Sequence, residues 1–305
     1  MKKREIIEGV IKDYDFPNKG SFELDGKKVI VKGALPGQKV SCMVSKVRKD
    51  KAEARLLDVM ERSEIEDAVP PCPQFGICGG CAYQTMSYEH QLELKAGQVK
   101  KLLDGVIDSE AHPYEWEGII GSPVTTAYRN KMEYSFGDEY KDGPLVLGLH
   151  KKNSMYDIVP VCNCVIVSED YNRIVSYTME FARAHGLSYH KKMQHVGLLR
   201  HLVLRQSKTN GGLLVNLVTS TDGLENLDLN AYVEGLLALP LEGTIIGILH
   251  TANDSLADAV VPEKVTLLYG RDYIEEEVLG LHFQISPFSF FQTNTKSAER
   301  LYSKA

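Results

Sequence analysis

The 305-residue sequence lacks the hydrophobic segments that mark membrane and exported proteins. No apolar run approaches the roughly 18 residues that a membrane-spanning helix needs. The basic N-terminus, MKKREIIEGV, is followed by neither an apolar stretch nor a small-residue cleavage site, so we expect no signal peptide. These absences predict a cytoplasmic protein with no membrane partner. Thiols stay reduced in that compartment, where clustered cysteines are more often metal ligands than disulfides.

An overall excess of positive charge is also absent, because the chain carries a formal net charge of −6 at pH 7. This excludes a uniformly basic nucleic-acid coat but not a local basic patch. Residues 1–60 hold 14 Lys and Arg against 9 Asp and Glu. A basic front region on an acidic body suits contact with a phosphate backbone, although a chance fluctuation on a solvated surface explains the charge equally well.

The sequence shows no internal repeat and no low-complexity linker, and it begins with a strand-rich part. Residues 5–60 contain short strand-like runs separated by Pro-Asn-Lys-Gly, Asp-Gly and Pro-Gly turns. Several short strands in so few residues predict a small barrel. In KVSCMVSKV, the alternation of apolar and polar residues predicts a strand with one buried face, so Cys42 is expected in the core.

Two helices with boundary residues are predicted in the part that follows, and a third helix is predicted near residues 224–238. Ser87 caps the first, which runs to about Leu103, while Ser168 and Gly186 bound the second. Strand-like runs surround both helices without strict βαβ alternation, which indicates an α+β fold. The first helix is expected to bury one apolar stripe, formed by Leu92, Ala96, Val99, Leu102 and Val106.

Three of the six cysteines lie in one short loop, CPQFGICGGC at residues 72–81. Together with a distant cysteine in VPVCNCVIV, this C-x5-C-x2-C spacing can supply four thiolates to one metal site. The glycine pair lets the backbone curl around a bulky inorganic core and offers N–H groups to sulfide. The spacing favours an iron–sulfur cluster. Structural zinc, which more often uses two C-x2-C knuckles, and buried cysteines without a metal stay open.

CPQFGICGGC resembles the cluster motif of the iron–sulfur-containing 23S ribosomal RNA (uracil-5-)-methyltransferases. GALPGQKV is similar to part of the family's N-terminal TRAM domain, and ISPFSFFQTN is similar to the segment that opens its catalytic domain. YRNKMEYSFG, LGLHKK, DIVPVCNC and LRHLVLR resemble the central domain in the same order. Three domains are implied: a small all-β OB-like TRAM barrel (1–62), an α+β central RNA-binding domain (63–285), and the truncated beginning of an α/β S-adenosylmethionine-dependent methyltransferase domain (286–305).

The resemblance also implies the metal ligands. A 4Fe–4S cluster is expected on Cys72, Cys78, Cys81 and Cys164. Cys162 lies two positions before the last ligand, on the same strand face by alternation, and is a plausible substitute for it. The cluster is expected to be structural, because it would fix the loop that presents RNA-contacting residues.

RNA contacts are expected from basic residues in two of the matching motifs, since a protein that modifies folded RNA needs phosphate contacts to position it. Arg129 and Lys131 in YRNK are the first candidates. Arg200, His201 and Arg205 in LRHLVLR are the others, on a strand predicted to present basic residues to the nucleic acid. An ordinary solvated strand face is the alternative interpretation.

Members of the family transfer a methyl group from S-adenosylmethionine to carbon 5 of uracil, through a cysteine that adds to carbon 6. The resemblance places Gln292 beside the methyl donor and Phe290 against the target base. Their alternative roles are a helix-capping amide and a buried aromatic side chain. The nucleophilic cysteine and the proton-abstracting glutamate are expected downstream, so no catalytic residue is expected here. We therefore predict the N-terminal two thirds of such an enzyme, inactive by itself.

Two other functions stay open. The chain is alternatively a naturally shortened, non-catalytic RNA-binding iron–sulfur module, or a zinc-stabilised RNA adaptor unrelated to methyltransferases. The FQTN segment favours the enzyme, because a pure binding protein has no use for a cofactor glutamine. A TRAM barrel with a cluster fits 23S ribosomal RNA better than transfer RNA, and we expect a monomer.

Overall fold

The computed structural model describes residues 1–108, 110–256, 260 and 263–305. Within these ranges, no helix is both long and apolar enough to cross a membrane. Strands outnumber helices in the described chain, as the sequence pattern predicts.

Two compact units make up the chain: Met1–Pro70 with Ala82–Gly121, and Pro71–Cys81 with Ser122–Ala305. We call them the N-terminal unit and the mixed unit. The predicted boundaries after residues 62 and 285 do not separate these units. The first predicted helix belongs with the N-terminal sheet rather than with a central domain, because its side chains bond to that sheet. One such bond joins Lys101 Nζ to Asp15 Oδ1 at 2.5 Å.

The N-terminal unit contains a six-stranded sheet. Its strands are β1 (Ile6–Val10), β2 (Asp13–Asp15), β3 (Lys19–Leu24), β4 (Lys27–Lys32), β5 (Lys39–Val47) and β6 (Lys51–Glu61). They lie in the order β1-β5-β6-β4-β3-β2, and all neighbours are antiparallel except β4 and β6. Val40, Cys42 and Val44 of β5 are fully buried, which confirms the core position predicted for Cys42.

Helix α1 (Tyr88–Asp104) begins after Ser87, as predicted, and Ser87 Oγ accepts a hydrogen bond from the backbone N–H three residues later at 3.4 Å. The predicted buried stripe is wrong in the second half of the helix. Val99 and Leu102 are exposed, and Gln98 is buried instead. Capping residues locate a helix, whereas the face that it buries depends on what packs against it.

The mixed unit is built on a seven-stranded sheet. Its strands are β7 (Lys131–Gly137), β8 (Val146–His150), β9 (Ile158–Pro160), β10 (Leu199–Gln206), β11 (Gly212–Thr219), β12 (Thr244–Ala252) and β13 (Lys264–Gly270). The order is β13-β12-β11-β10-β7-β8-β9, with β11 and β12 parallel and the other neighbours antiparallel. The helices of this unit are α2 (Glu169–Ala184), the short 3₁₀ segment Leu224–Asn226 and α3 (Leu229–Leu237). This arrangement agrees with the predicted α+β class.

Both faces of the centre of this sheet are covered. On one face, Leu202 and Leu204 of β10 share a core with Ile174 of α2. The other face packs against a hairpin through Leu214 and its neighbours. The hairpin strands are β14 (Ile274–Val278) and β15 (Leu281–Ile285), and helix α4 (Thr295–Lys304) follows them. As a result, every residue of β10 and β11 is buried.

Candidate functional site

The cysteine loop at residues 72–81 lies against the end of β8 in the mixed unit. The Gly79 N–H donates to the His150 carbonyl at 2.9 Å. A Cβ added at Gly79 would lie 3.1 Å from that same oxygen, so the close approach favours glycine. The Gly80 N–H donates to Cys78 Sγ at 3.4 Å. One glycine therefore supports backbone pairing, while the other supplies a hydrogen bond to sulfur.

Cys162 and Cys164 lie in a turn after β9, not in a strand. The expectation that alternation places both on one strand face is therefore wrong, because β9 ends at Pro160. The Cys164 N–H donates to Asn172 Oδ1 of α2 at 2.9 Å. Burial raises the pKa of the Cys164 thiol, while hydrogen bonding to the backbone N–H groups of Ile166 and Val167 lowers it by a smaller amount. Such bonds favour the thiolate form, which is the form that binds metals.

The four predicted metal ligands lie in one region of the mixed unit. Burial raises the pKa of the Cys78 thiol, and the neighbouring Cys81 and Cys72 raise it further. Burial also raises the pKa of Cys164, with the same two cysteines contributing. Cysteine sulfurs beside one another and near backbone N–H groups are suited to thiolate ligation. In the part of the chain that the structure describes, however, no three His, Cys, Asp or Glu side chains are arranged to hold a metal ion. The 4Fe–4S cluster stays a prediction.

Residues 286–294, which we call the anchored segment, are held on the start of β7 by Asn130. The Asn130 N–H donates to the Thr293 carbonyl at 2.9 Å. Its Nδ2 donates to the Gln292 carbonyl and to Thr295 Oγ1, both at 2.9 Å. Asn130 is only 2% exposed, so these bonds are shielded from water. The backbone of Gln292 is thus fixed, and its side chain makes no hydrogen bond to another described residue.

Arg205 of β10 holds the other end of the anchored segment. Its Nε donates to the Pro287 carbonyl at 3.2 Å, and its Nη2 donates to the Ser289 carbonyl. The side chain is 1% exposed, and burial lowers the pKa of its guanidinium. A buried guanidinium that donates to two backbone carbonyls is committed to the fold. Arg205 therefore positions the anchored segment, and its guanidinium does not lie on an open surface.

The prediction of an open basic strand face is also wrong at Arg200 and His201, which are 4% and 3% exposed. Arg200 Nη1 donates to the carbonyls of Asn253 and Ser255 at 2.7 and 2.8 Å. His201 Nδ1 lies 3.4 Å from Ser135 Oγ on β7. The physical reason is the cover on both faces of the sheet, which leaves no solvated side at this strand.

Arg129 and Lys131 remain partly exposed beside the anchored segment. Arg129 Nε donates to the Lys131 carbonyl at 2.9 Å. Burial lowers the pKa of the Lys131 ammonium, and the positive charges of Arg205 and Arg129 lower it further, while Glu133 opposes them. Three cations therefore lie close together here, two of them reachable from solvent. Such a cluster suits a phosphate group.

Phe290 and Phe291 have different environments. Phe290 is 88% exposed, so the alternative of a buried aromatic side chain is wrong. Phe291 packs on the hairpin, with its ring centroid 5.7 Å from that of Phe283. The cap of α4 is Asn294, whose side chain accepts from the Ser297 N–H at 3.0 Å, so Gln292 is not the capping amide either.

Two residues that support this site are absent from the sequence predictions. Asn130 lies between two basic candidates in YRNK. A polar side chain at the start of a buried strand indicates a buried hydrogen bond, and this signal could have identified it. Glu276 is 1% exposed and accepts from the Lys208 N–H at 2.9 Å and from Thr295 Oγ1 at 3.3 Å. In IEEEV, the alternation places Glu276 on the same face as Ile274 and Val278, and this signal could have identified it.

Comparison with known proteins gives the following relatives, although no protein-family model matches the chain. A Clostridium acetobutylicum protein described as an uncharacterized RNA methyltransferase is 47% identical over 305 residues, covering 100% of this chain and 65% of its own length. A Caldanaerobacter subterraneus protein of the same description is 45% identical over 305 residues, covering 99% of this chain and 66% of its own.

Among solved structures, Pyrococcus abyssi tRNA (uracil-54, C5)-methyltransferase in complex with S-adenosyl-L-homocysteine has a TM-score of 0.68 at 24% identity. The match covers 97% of this chain and 64% of that protein. At this identity, the likeness shows a shared fold. The chain spans about 65% of the length of the first relatives, and its homologues over its whole length are named RNA methyltransferases.

Proposed function

We propose that this chain forms the RNA-binding and cluster-binding part of an S-adenosylmethionine-dependent RNA (uracil-5-)-methyltransferase, with a uracil of 23S ribosomal RNA as substrate. The observation that carries the proposal is the anchored segment, in which two buried side chains fix the backbone around Phe290 and Gln292. The names of the relatives support RNA methylation. The fold of the tRNA (uracil-54, C5)-methyltransferase supports carbon 5 of uracil as the acceptor.

Two side chains of the anchored segment, together with two neighbouring basic residues, have roles in this proposal. The ring of Phe290 stacks on an unstacked base, as aromatic side chains do in proteins that bind single-stranded RNA. The amide of Gln292 offers a donor and an acceptor to the polar groups of the methyl donor. Arg129 and Lys131 contact phosphates on the same RNA, which positions the base without reading its sequence.

The methyl transfer needs a thiolate that adds to carbon 6, so that carbon 5 displaces S-adenosylhomocysteine from the methyl group. It also needs a base that then removes the carbon-5 proton, as the thiolate is eliminated from carbon 6 and the double bond is restored. The proposal assigns neither role to a residue of this chain. Cys42 is buried in the core of the N-terminal unit. The other cysteines lie in the 72–81 loop and in the turn after β9. Four of these would hold the 4Fe–4S cluster, namely Cys72, Cys78, Cys81 and Cys164, and a bound cluster would cross-link loop and turn.

Deletion of the gene and mapping of 5-methyluridine in ribosomal and transfer RNA by mass spectrometry tests the proposal. Loss of a 5-methyluridine from 23S ribosomal RNA is the expected result. Loss from transfer RNA alone would show that transfer RNA is the substrate instead. Complementation with Phe290→Ala should fail to restore the modification, whereas Tyr302→Ala, an exposed aromatic of α4, should restore it. Unchanged 5-methyluridine in both RNA classes would contradict the proposed function.

A further inference from the structure

A cavity of about 370 Å³ lies in the mixed unit. None of its lining residues belongs to the anchored segment, to the 72–81 loop or to the turn after β9. It is formed by the turn after β7, the loop before β9 and the hairpin at residues 189–194. Its volume is within the roughly 300–1,000 Å³ of typical small-molecule sites. The cavity is therefore large enough for a nucleobase with its sugar.

Flat aromatic surfaces line this cavity. Phe136 is buried at its base, and Tyr156 at the rim is 58% exposed. Tyr189 also lines the cavity, and its side chain is held in place because its hydroxyl donates to Asp138 Oδ2 at 2.7 Å. Burial and this hydrogen bond raise the pKa of Tyr189, so the phenol stays neutral. Met193 adds a flexible thioether, toward which the Tyr156 hydroxyl points at 4.0 Å. Rings and thioethers of this kind suit stacking against a base.

The charges that line the cavity are not all neutralised by one another. Lys191 Nζ pairs with Asp142 Oδ1 at 3.4 Å. Asp157, in contrast, has one ion pair among the described residues, with Lys151 at the long distance of 4.0 Å. Lys141 forms no ion pair to any residue that the structure describes. One carboxylate and one ammonium are thus available to a ligand that carries both a hydrogen-bond donor and an anionic group.

We propose that this cavity binds one unstacked RNA nucleotide whose base carries an exocyclic amino group. The base stacks on Tyr156, the amino group donates to the Asp157 carboxylate, and Lys141 contacts the phosphate. A carboxylate accepts from the amino group of cytosine, whereas uracil offers a carbonyl at the same position. The proposal rests on the proposed function only in taking RNA as the ligand, and it adds a second, base-selective contact away from the anchored segment.

The test is the binding of 5′-labelled pentanucleotides, C5, A5 and U5, to the whole chain by fluorescence anisotropy at one fixed salt concentration. C5 and A5 are expected to bind more tightly than U5. Tyr156→Ala should weaken C5 binding by about 5-fold or more, because one base–aromatic stack is lost. Tyr140→Ala is the matched control: Tyr140 is also exposed, but it does not line the cavity.

Two further variants separate base selection from simple charge attraction. Asp157→Asn should remove the preference for C5 over U5, because the amide presents a donor as well as an acceptor. Lys141→Ala should weaken both oligonucleotides equally and reduce the salt dependence of binding. If the unchanged chain binds RNA, and the Tyr156 and Asp157 variants bind each oligonucleotide as tightly as the unchanged chain does, the cavity proposal is wrong and the methyltransferase proposal stands. If the unchanged chain binds none of them, the cavity proposal is overturned, and mapping of 5-methyluridine decides the methyltransferase proposal separately.

Discussion

Strands β5 and β10 lie in sheets of different construction. In β5, KVSCMVSKV, every second residue up to Val44 is buried and the residues between are partly exposed. In β10, LRHLVLRQ, all residues are buried, because a helix covers one face of the sheet and a hairpin the other. A period of two therefore shows which residues share a face, but not whether the polar face meets water. A charged residue on such a strand can contact a ligand only if its face of the sheet is not covered by another segment.

The largest expected effect compares Cys164 of the mixed unit with Cys42 of the N-terminal unit. Anaerobically purified protein is expected to show the broad visible absorption of a 4Fe–4S cluster, with about four irons and four sulfides per chain. Cys164→Ala should abolish this absorption, because it removes one of the four predicted ligands. Cys42→Ala, in the core of the N-terminal unit, should leave it unchanged. The visible spectrum, with iron, sulfide and zinc assayed on the same sample, makes the measurement; a colourless unchanged protein with one zinc would contradict the cluster.

The next largest effect compares Arg205, which is buried on β10, with Arg55, which is exposed on β6. Arg205→Met is expected to lower the free energy of unfolding by about 3 kcal/mol, because two buried carbonyls lose a charged donor. Arg55→Met on β6, where the side chain is exposed, should change it by no more than about 0.5 kcal/mol. Urea unfolding combined with amide hydrogen exchange of β10 measures the difference. Equal effects of the two substitutions would show that Arg205 does not hold the anchored segment.

A similar comparison applies to two asparagines. Asn130→Ala is expected to lower the free energy of unfolding by about 2 kcal/mol and to speed chymotrypsin cleavage after Phe290, since two buried side-chain bonds are lost. Asn226→Ala is the control, because Asn226 is exposed and its side-chain bond to the Gly223 carbonyl is long, at 3.3 Å. Cleavage at an unchanged rate in the Asn130 variant would mean that the segment is held by other contacts.

The smallest effect is the pH dependence that Cys42 gives to the N-terminal unit. Burial raises the pKa of this thiol from 9.0 to about 11. The unfolded chain therefore loses this proton at lower pH than the folded chain, so the contribution to stability is complete below pH 9 and declines as the pH rises toward 11. Between pH 8 and pH 10, the unchanged protein should lose about 1 kcal/mol more stability than Cys42→Ala. Urea unfolding at the two pH values measures this; identical losses would place the thiol in contact with water.

What the sequence predicts well is local. Ser87 marks the start of α1 through its cap, and alternation around Cys42 identifies a buried face, because both signals depend on neighbours in sequence. The buried stripe of α1 and the open face of β10 are predicted incorrectly, because each depends on which distant segment covers it. The four-cysteine metal site stays a prediction, and the role of Arg205 in holding residues 287 and 289 depends on a fold that spacing alone does not reveal.

The bond between Asn130 Nδ2 and the Gln292 carbonyl joins residues 162 positions apart. Closing so long a loop costs chain entropy before the contact gives any stabilisation, so bonds of this kind form late in folding. During synthesis, β7 leaves the ribosome well before the anchored segment. The centre of the sheet cannot form until strands β10 to β12 have also been synthesised. An ordered Phe290–Gln292 conformation is therefore a property of the finished fold, which a nascent chain reaches only after both Asn130 and Gln292 have been synthesised.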